Sequence, residues 1–185
     1  DLITKALAIK SNEAEAHCNL GLALQNLGKI DDAVASYQKA LGLKPDYAEA
    51  HNNLGNALRE LGKLDDAAAS YRKAFAIKPN YAEAYNNLGN ALLNLGKLED
   101  AIVSYQQAVT IKPDYAEAYL NIGFALQNLG KIDDAVASYR MALGIRPDYA
   151  KAHFSLGIAL RYLGKLTGAV ASYHKAIAVK SDFVE

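Results

Sequence analysis

The sequence predicts an all-α solenoid built from short repeats, and three observations support this fold class. Proline recurs every 34 residues, at Pro45, Pro79, Pro113 and Pro147, and the residues around each proline recur with it. The composition is that of a globular protein, since 51% of the 185 residues are hydrophobic. A segment of this size is too small to bury a core by itself, so neighbouring copies must stack on one another.

The period divides the chain into one partial repeat, five full repeats and the start of another. Residues 1–13 match the end of a repeat, because Lys5–Lys10 is similar to Lys39–Lys44. We therefore predict that residues 1–13 form the C-terminal helix of a truncated preceding repeat. Val184 and Glu185 begin a following repeat, so we expect the chain to be a piece of a longer array. The five full repeats are 14–47, 48–81, 82–115, 116–149 and 150–183.

Each repeat begins with an amphipathic helix. Its apolar positions 4, 7, 8 and 11 share one face, because they have the i, i+3, i+4, i+7 spacing of an α-helix. Asp46 and Glu49 stand three residues apart, a capping-box pattern that predicts where the helix of the second repeat starts. The third and fourth repeats have similar pairs. In the second repeat the apolar face is His51, Leu54, Gly55 and Leu58.

Each repeat ends with a second helix. Gly62 and Lys63 interrupt the chain, and Asp65 and Asp66 follow, where acidic side chains favour the amino-terminal end of a helix. Pro79 ends this helix, because the residue before a proline disfavours the helical conformation. The predicted buried face is Ala67, Ala68, Tyr71, Ala74 and Phe75.

One glycine stands inside the first helix of every repeat, where it costs roughly 1 kcal/mol relative to alanine. A close approach of the paired second helix explains this cost, and we expect an alanine of that helix to face each glycine. The glycines are Gly21, Gly55, Gly89, Gly123 and Gly157, and the alanines are Ala33, Ala67, Ala101, Ala135 and Ala169.

These positions resemble the tetratricopeptide repeat pattern over residues 14–183. That pattern has a large residue, then Leu-Gly, a second large residue, Ala, an aromatic residue, Ala and Pro. The resemblance implies a right-handed superhelical solenoid of antiparallel helix pairs, whose first helices line a concave groove. Such arrays mostly hold proteins or peptides in that groove. The third repeat supplies Tyr85, Leu88, Gly89, Leu92, Ala101, Tyr105, Ala108 and Pro113.

Asparagine recurs on the predicted groove face of the first helices, chiefly at repeat position 6. Asparagine is a poor residue for a helix interior, so its recurrence suggests a use. Its amide carries both a donor and an acceptor and can pair with the backbone of an extended peptide. The row is similar to the asparagine ladder of O-linked N-acetylglucosamine transferases, which grips peptide backbones. The alternative is a solvated residue that was copied as the repeats duplicated. The candidate residues are Asn19, Asn53, Asn87 and Asn121 at position 6, with Asn52, Asn56, Asn86 and Asn90 beside them.

The last two repeats carry large apolar residues on the same face. Such a patch can mark an interaction surface. It either takes an apolar side chain or a helix of a partner, or it is covered by a missing sixth repeat or a neighbouring copy. The patch residues are Leu120, Phe124, Phe154, Ile158 and Tyr162.

The composition argues against several other classes of protein. Twenty basic residues balance 20 acidic ones, which gives no electrostatic attraction for nucleic acid. No apolar run approaches the ~18 residues of a membrane span, so we expect no membrane insertion. The first residues lack the layout of a signal peptide, which favours a cytoplasmic location. His17 and His51 lie at core positions and Cys18 is the sole cysteine, so we predict no metal ion, no cofactor and no catalytic site.

The function predicted from these features is a non-enzymatic scaffold that binds a protein or an extended peptide in its groove. Two alternatives stay open. The chain is the substrate-recruiting arm of a larger enzyme such as a glycosyltransferase, or it self-associates through the open ends of its array.

Overall fold

The described part of the chain is helical. The computed structural model describes residues 2–181, and the side chains of residues 12–179. Ten helices and no strands occur in that range, so the predicted all-α class is confirmed. None of these helices has both the length and the apolar character needed to cross a membrane. The helices are α1 (Leu2–Asn26), α2 (Ile30–Leu43), α3 (Ala48–Glu60), α4 (Leu64–Ile77), α5 (Ala82–Asn94), α6 (Leu98–Ile111), α7 (Ala116–Asn128), α8 (Ile132–Ile145), α9 (Ala150–Tyr162) and α10 (Leu166–Ser181).

The chain divides after Leu95 into two compact units, called here the N-terminal half and the C-terminal half. In the N-terminal half, α1 pairs with α2 and α3 with α4, and the second helix of each pair also packs on the first helix that follows it. In the C-terminal half, α7 pairs with α8 and α9 with α10, while α6 packs on α7 and α8 on α9. Each half is therefore a stack in which a short turn joins two antiparallel helices.

A glycine closes the turn between paired helices. Gly62 has a φ of 74°, and the N–H of Lys63 donates to the carbonyl of Leu58 at 2.9 Å. This is the Schellman arrangement, which needs a left-handed conformation that glycine adopts without strain. The predicted interruption at Gly62 and Lys63 is confirmed, and α4 begins at the next residue.

The start of the first helix differs from the prediction. The N-cap of α3 is Tyr47 rather than Asp46, and no side chain caps it. The N–H of Tyr47 donates to the carbonyl of Lys44 at 3.3 Å, so Asp46 lies inside a β-turn that precedes the helix. Glu49 instead accepts a bond from Lys78 Nζ at 3.0 Å. The capping-box prediction was therefore wrong for α3, and α5 and α7 also begin after a tyrosine without a side-chain cap.

The first helix is longer than expected. The repeat pattern assigns residues 1–13 to a separate helix, whereas residues 2–13 continue into the first repeat as part of the single helix α1. Other repeats turn at a proline at the matching position, which holds Ser11 here. Serine does not interrupt a helix as proline does. The division into repeats stays a prediction, but its first boundary is not a break in the described structure.

Each helix pair packs around a tyrosine. The buried faces predicted for α3 and α4 are confirmed, except that Phe75 is half-buried. A Cβ built on Gly55 would lie 2.5 Å from Cε1 of Tyr71, whose side chain is fully buried. The glycine is therefore needed to make room for a tyrosine ring of the second helix. The sequence had instead suggested that an alanine of that helix faces the glycine. The same contact joins Gly21 to Tyr37, Gly123 to Tyr139 and Gly157 to Tyr173.

Candidate functional site

The asparagine row links neighbouring first helices of the N-terminal half. Nδ2 of Asn53 donates to Sγ of Cys18 at 3.7 Å, and Nδ2 of Asn87 donates to Oδ1 of Asn52 at 3.0 Å. The donor residues are half-exposed and the acceptor residues are buried. Each acceptor stands 35 residues before its donor, so position 6 of one repeat meets position 5 of the preceding repeat. These bonds hold the amides of Asn53 and Asn87 in a fixed orientation.

The same bonds decide which atom of each amide is open to a ligand. An asparagine amide has two N–H donors and one carbonyl acceptor. One N–H of Asn53 and of Asn87 points to the preceding first helix, and no described residue donates to Oδ1 of either side chain. Each of these oxygens is therefore an oriented acceptor on a half-exposed side chain. Of the other row members, Asn19 is exposed, and Asn90 and Asn121 are half-exposed.

Two candidate residues, Asn52 and Asn86, do not lie on the groove face. Their side chains are 4% and 1% exposed, whereas the sequence placed position 5 at the flank of that face. Packing between repeats explains why Asn52 is buried, because the first helix of the next repeat, α5, brings Asn87 against it. No ligand reaches either amide unless neighbouring helices part. The predicted location of both residues is corrected.

Asn56, a candidate at position 9, is engaged within its own repeat. The hydroxyl of Tyr71 donates to Oδ1 of Asn56 at 2.8 Å. Burial raises the pKa of Tyr71 above its usual value, so the hydroxyl keeps the proton that it donates. Sequence reasoning missed these bonds, although a polar residue at position 9 or 12 combined with a buried tyrosine is the signal that could have found them. Equivalent bonds of 3.0 Å join Tyr37 to Gln25 and Tyr139 to Gln127.

The apolar patch of the C-terminal half is smaller than the sequence predicted. Phe124 and Tyr162 are exposed and Ile158 is half-buried. Leu120, at position 5, is half-buried and packs against the core cluster that contains Leu156. The patch on the first helices therefore consists of Phe124, Ile158 and Tyr162.

Phe154 belongs to a different surface, the end face of the last helix pair. Its ring lies 5.9 Å from that of Tyr173 on α10, centroid to centroid. Together with Ala150, Ala176 and Ile177, these two rings line a pocket of about 500 Å3. Phe154 occupies repeat position 5. The residue at that position in the second repeat is Asn52, which faces the first helix of the next repeat and not the groove. Its assignment to the groove patch is therefore corrected.

The histidines at position 4 serve packing. Nε2 of His51 lies 2.9 Å from the carbonyl oxygen of Pro45, and Nε2 of His153 lies 2.8 Å from that of Pro147. A carbonyl only accepts, so each Nε2 is the donor. Burial lowers the pKa of His51, which keeps its ring neutral near pH 7. Within the described residues, no group of three or more His, Cys, Asp or Glu side chains is placed to hold a metal ion.

Models of known repeat families match most of the chain. A model described as TPR repeat matches residues 26–59, 55–96 and 89–130, and two models described as tetratricopeptide repeat match residues 116–149 and 150–183. A search of curated proteins finds no match.

Several solved structures share this fold. The crystal structure of MamA is 29% identical, with a TM-score of 0.80 over 89% of this chain and 96% of MamA. The crystal structure of YrrB, described as a TPR protein with an unusual peptide-binding site, is 25% identical, with a TM-score of 0.72 over 98% of this chain and 94% of YrrB. Pseudomonas aeruginosa PilF, 22% identical with a TM-score of 0.84 over 92% of this chain and 78% of its own, shows the fold alone. Because the family models cover residues 26–183, the chain belongs to the tetratricopeptide repeat family.

Proposed function

We propose that this chain is a non-catalytic scaffold that binds an extended segment of another protein on the face of its first helices. The observation that carries the proposal is the pair of half-exposed residues Asn53 and Asn87, whose carbonyl oxygens are oriented because Nδ2 of the same side chain donates a hydrogen bond. An acceptor that is already fixed loses little conformational entropy when a ligand arrives. A backbone N–H is the natural donor, because every residue except proline carries one. Such a site recognises a peptide without reading its side chains.

The spacing of the row favours a polyproline II conformation in the ligand. Packed helices lie about 8–10 Å apart, so the acceptors of neighbouring repeats are separated by a similar distance. A polyproline II peptide advances about 9 Å for each turn of three residues, and its backbone N–H groups are free. One N–H in every three then meets one repeat. Proline is excluded at the contacted positions because it has no N–H.

Two further features support a protein ligand. Phe124, Ile158 and Tyr162 give the C-terminal half an apolar surface that suits a large side chain. The balance of 20 basic and 20 acidic residues provides no attraction for nucleic acid. The peptide-binding description of YrrB, which has the same fold, agrees with this class of ligand.

The test starts from peptides selected on this protein from a random displayed library. Replacing Asn53 and Asn87 together with alanine should weaken binding of a selected peptide by about 5-fold or more, because each lost hydrogen bond contributes about 0.5–1.5 kcal/mol. Asn80→Ala is the matched control, since Asn80 is an exposed amide in the turn before α5. It should leave the dissociation constant unchanged. Circular dichroism verifies that the double variant is folded.

A second measurement asks whether the ligand backbone is recognised. Each amide of the selected peptide is N-methylated in turn, which removes one N–H at a time. Affinity should fall at every third position, whereas alanine substitutions at these positions should be tolerated. A folded double variant that binds as tightly as the unchanged protein would remove the asparagine row from the function.

A further inference from the structure

One arginine on a first helix of the N-terminal half has no carboxylate partner. Arg59 stands at position 12 of α3 and is half-buried. Its Nε atom is buried and bonds to no described residue, and no ion pair between described residues includes its guanidinium. A guanidinium is always charged and carries five N–H donors, so withdrawing it from water without an anion is unfavourable. Within the described part of the chain, Arg59 is therefore a cation without a counter-ion.

The preceding junction between repeats shows which partner a residue at this position takes. Gln25, at position 12 of α1, donates from Nε2 to Oε1 of Glu60, at position 13 of α3. The two residues stand 35 apart, the same separation as in the asparagine pairs. By that separation, the residue opposite Arg59 is Asn94 on α5. The chain thus places a carboxylate opposite a neutral glutamine, and a neutral amide opposite the arginine.

The guanidinium of Arg59 lies near the asparagine row. Burial raises the pKa of Tyr71, while the charge of Arg59 and its hydrogen bond to the Tyr71 hydroxyl act in the opposite direction, so the guanidinium lies beside that hydroxyl. The same hydroxyl donates to Oδ1 of Asn56 at 2.8 Å. Asn56 stands three residues after Asn53, which is about 5 Å along a helix. The cation is therefore about one helical turn from the acceptor that Asn53 offers to a ligand.

We propose that the peptide bound by the asparagine row carries an aspartate or glutamate whose carboxylate pairs with Arg59. This inference rests on the proposed function, because Asn53 and Asn87 must hold the peptide backbone for the acid to meet the arginine. The terminal nitrogens of a guanidinium offer parallel N–H donors that match the two oxygens of a carboxylate. The row contacts any backbone, so Arg59 supplies the preference for one side chain. The acid stands at a fixed number of residues from the contacted N–H groups.

Glu60 favours a carboxylate over a phosphorylated side chain as the partner. It follows Arg59 directly, and adjacent residues of a helix do not face each other. Its Oε1 is bound to Gln25, so it does not neutralise the arginine, but its negative charge stays close. A phosphoserine carries a charge of about −1.5 to −2 at pH 7, and Glu60 repels it more strongly than it repels a carboxylate. One arginine beside one acid therefore suits a ligand group with a single charge.

The test compares the unchanged protein with Arg59→Gln, using peptides selected on the unchanged protein from a random displayed library. Gln25 and Gln127 occupy the same repeat position, and Oε1 of each accepts from the hydroxyl of the paired tyrosine. Arg59→Gln should therefore fold, which circular dichroism verifies. Binding of a selected peptide should weaken by about 10-fold or more, because hydrogen bonds between two charged groups are the strong ones. Arg72→Gln is the matched control, since Arg72 is exposed on α4 and not on a first helix, and it should leave the dissociation constant unchanged.

Changes in the peptide complete a double-mutant cycle. The selected peptides should share an acid at one fixed distance from the residues whose N-methylation reduces binding. Replacing that acid with its amide should weaken binding to the unchanged protein as much as Arg59→Gln does, and should have no further effect on binding to Arg59→Gln. Replacing it with phosphoserine should also weaken binding, because of Glu60.

The outcomes separate this inference from the proposed function. Selected peptides that lack a shared acid but show the N-methylation pattern would overturn the pairing with Arg59 and leave the asparagine row in place. Additive effects of the two changes in the cycle would overturn the pairing as well, and tighter binding of the phosphoserine peptide would overturn the choice of a carboxylate. Coupling between Arg59 and the acid without any effect of N-methylation would instead remove the asparagine row, while the preference for an acid stands.

Discussion

Replacing Gly55 with alanine tests the packing inside a helix pair. The added Cβ would lie 2.5, 2.8 and 2.9 Å from three ring carbons of Tyr71, whereas carbon atoms in favourable contact stay about 3.5 Å apart or more. The ring is fully buried, and its hydroxyl donates to Asn56 at 2.8 Å. The tyrosine therefore has no space into which it can turn, and the backbones of α3 and α4 must separate.

The size of the effect follows from two opposing contributions. Forcing an extra methyl group into a packed core costs about 1–3 kcal/mol. Alanine regains up to about 1 kcal/mol through its higher helix propensity. Three close contacts with a fixed ring place the packing cost at the upper end, so we expect the free energy of unfolding to fall by about 2 kcal/mol. Gly42→Ala in α2 is the matched control, because a Cβ there has no neighbour within 4 Å.

The assay is urea unfolding followed by circular dichroism. The midpoint should fall for Gly55→Ala and rise slightly for Gly42→Ala. In a Tyr71→Leu background the cost of Gly55→Ala should shrink, because the atoms that the methyl group meets are gone, and a double-mutant cycle measures this difference. A Gly55→Ala variant as stable as the unchanged protein would contradict this account of the packing, and so would an equal cost of Gly55→Ala with leucine at position 71.

Two further predictions concern the amide pairs and the core histidine. Asn87→Ala leaves Oδ1 of Asn52 buried without its donor, so the free energy of unfolding should fall by about 1–3 kcal/mol. Asn53→Ala removes only a weak bond to the thiol of Cys18 and should lower it by less than about 1 kcal/mol. Equal shifts of the urea midpoint for the two variants would contradict this prediction. Burial lowers the pKa of His51 below its ordinary value of 6.5, so the unfolded chain binds the proton more tightly than the folded one. The contribution of the neutral ring to stability is therefore complete above the unfolded-state pKa and is lost as the pH falls below it towards the lower pKa of the folded state. The loss should be smaller in His51→Tyr, which has the residue type of α5 at this position, and an identical pH dependence of the two proteins counts against the assignment.

The sequence predicted much of the local structure because local structure depends on near neighbours along the chain. The spacing of His51, Leu54 and Leu58 defines one face of a helix wherever that helix packs. Gly62 marks a turn because only glycine adopts its left-handed conformation without strain. Other features of the turn before α3 were not predictable in this way, since Asp46 matches a helix cap and a β-turn equally well. The binding role of the asparagine row, its likeness to the transferase ladder and the place of the chain in a larger enzyme stay predictions.

The repeat family, the helix pairs and most of the residues that each pair buries could be predicted from the sequence, because these follow from a pattern that recurs every 34 residues. Which polar side chains remain exposed depends instead on how neighbouring repeats pack. A helical periodicity orients each residue relative to its own helix, but it does not show how closely the next first helix approaches. That approach buries Asn52 and leaves Asn53 half-exposed, although the two residues are adjacent in the chain. Phe154 stands at the repeat position of Asn52 but is exposed, because no described helix follows the last pair.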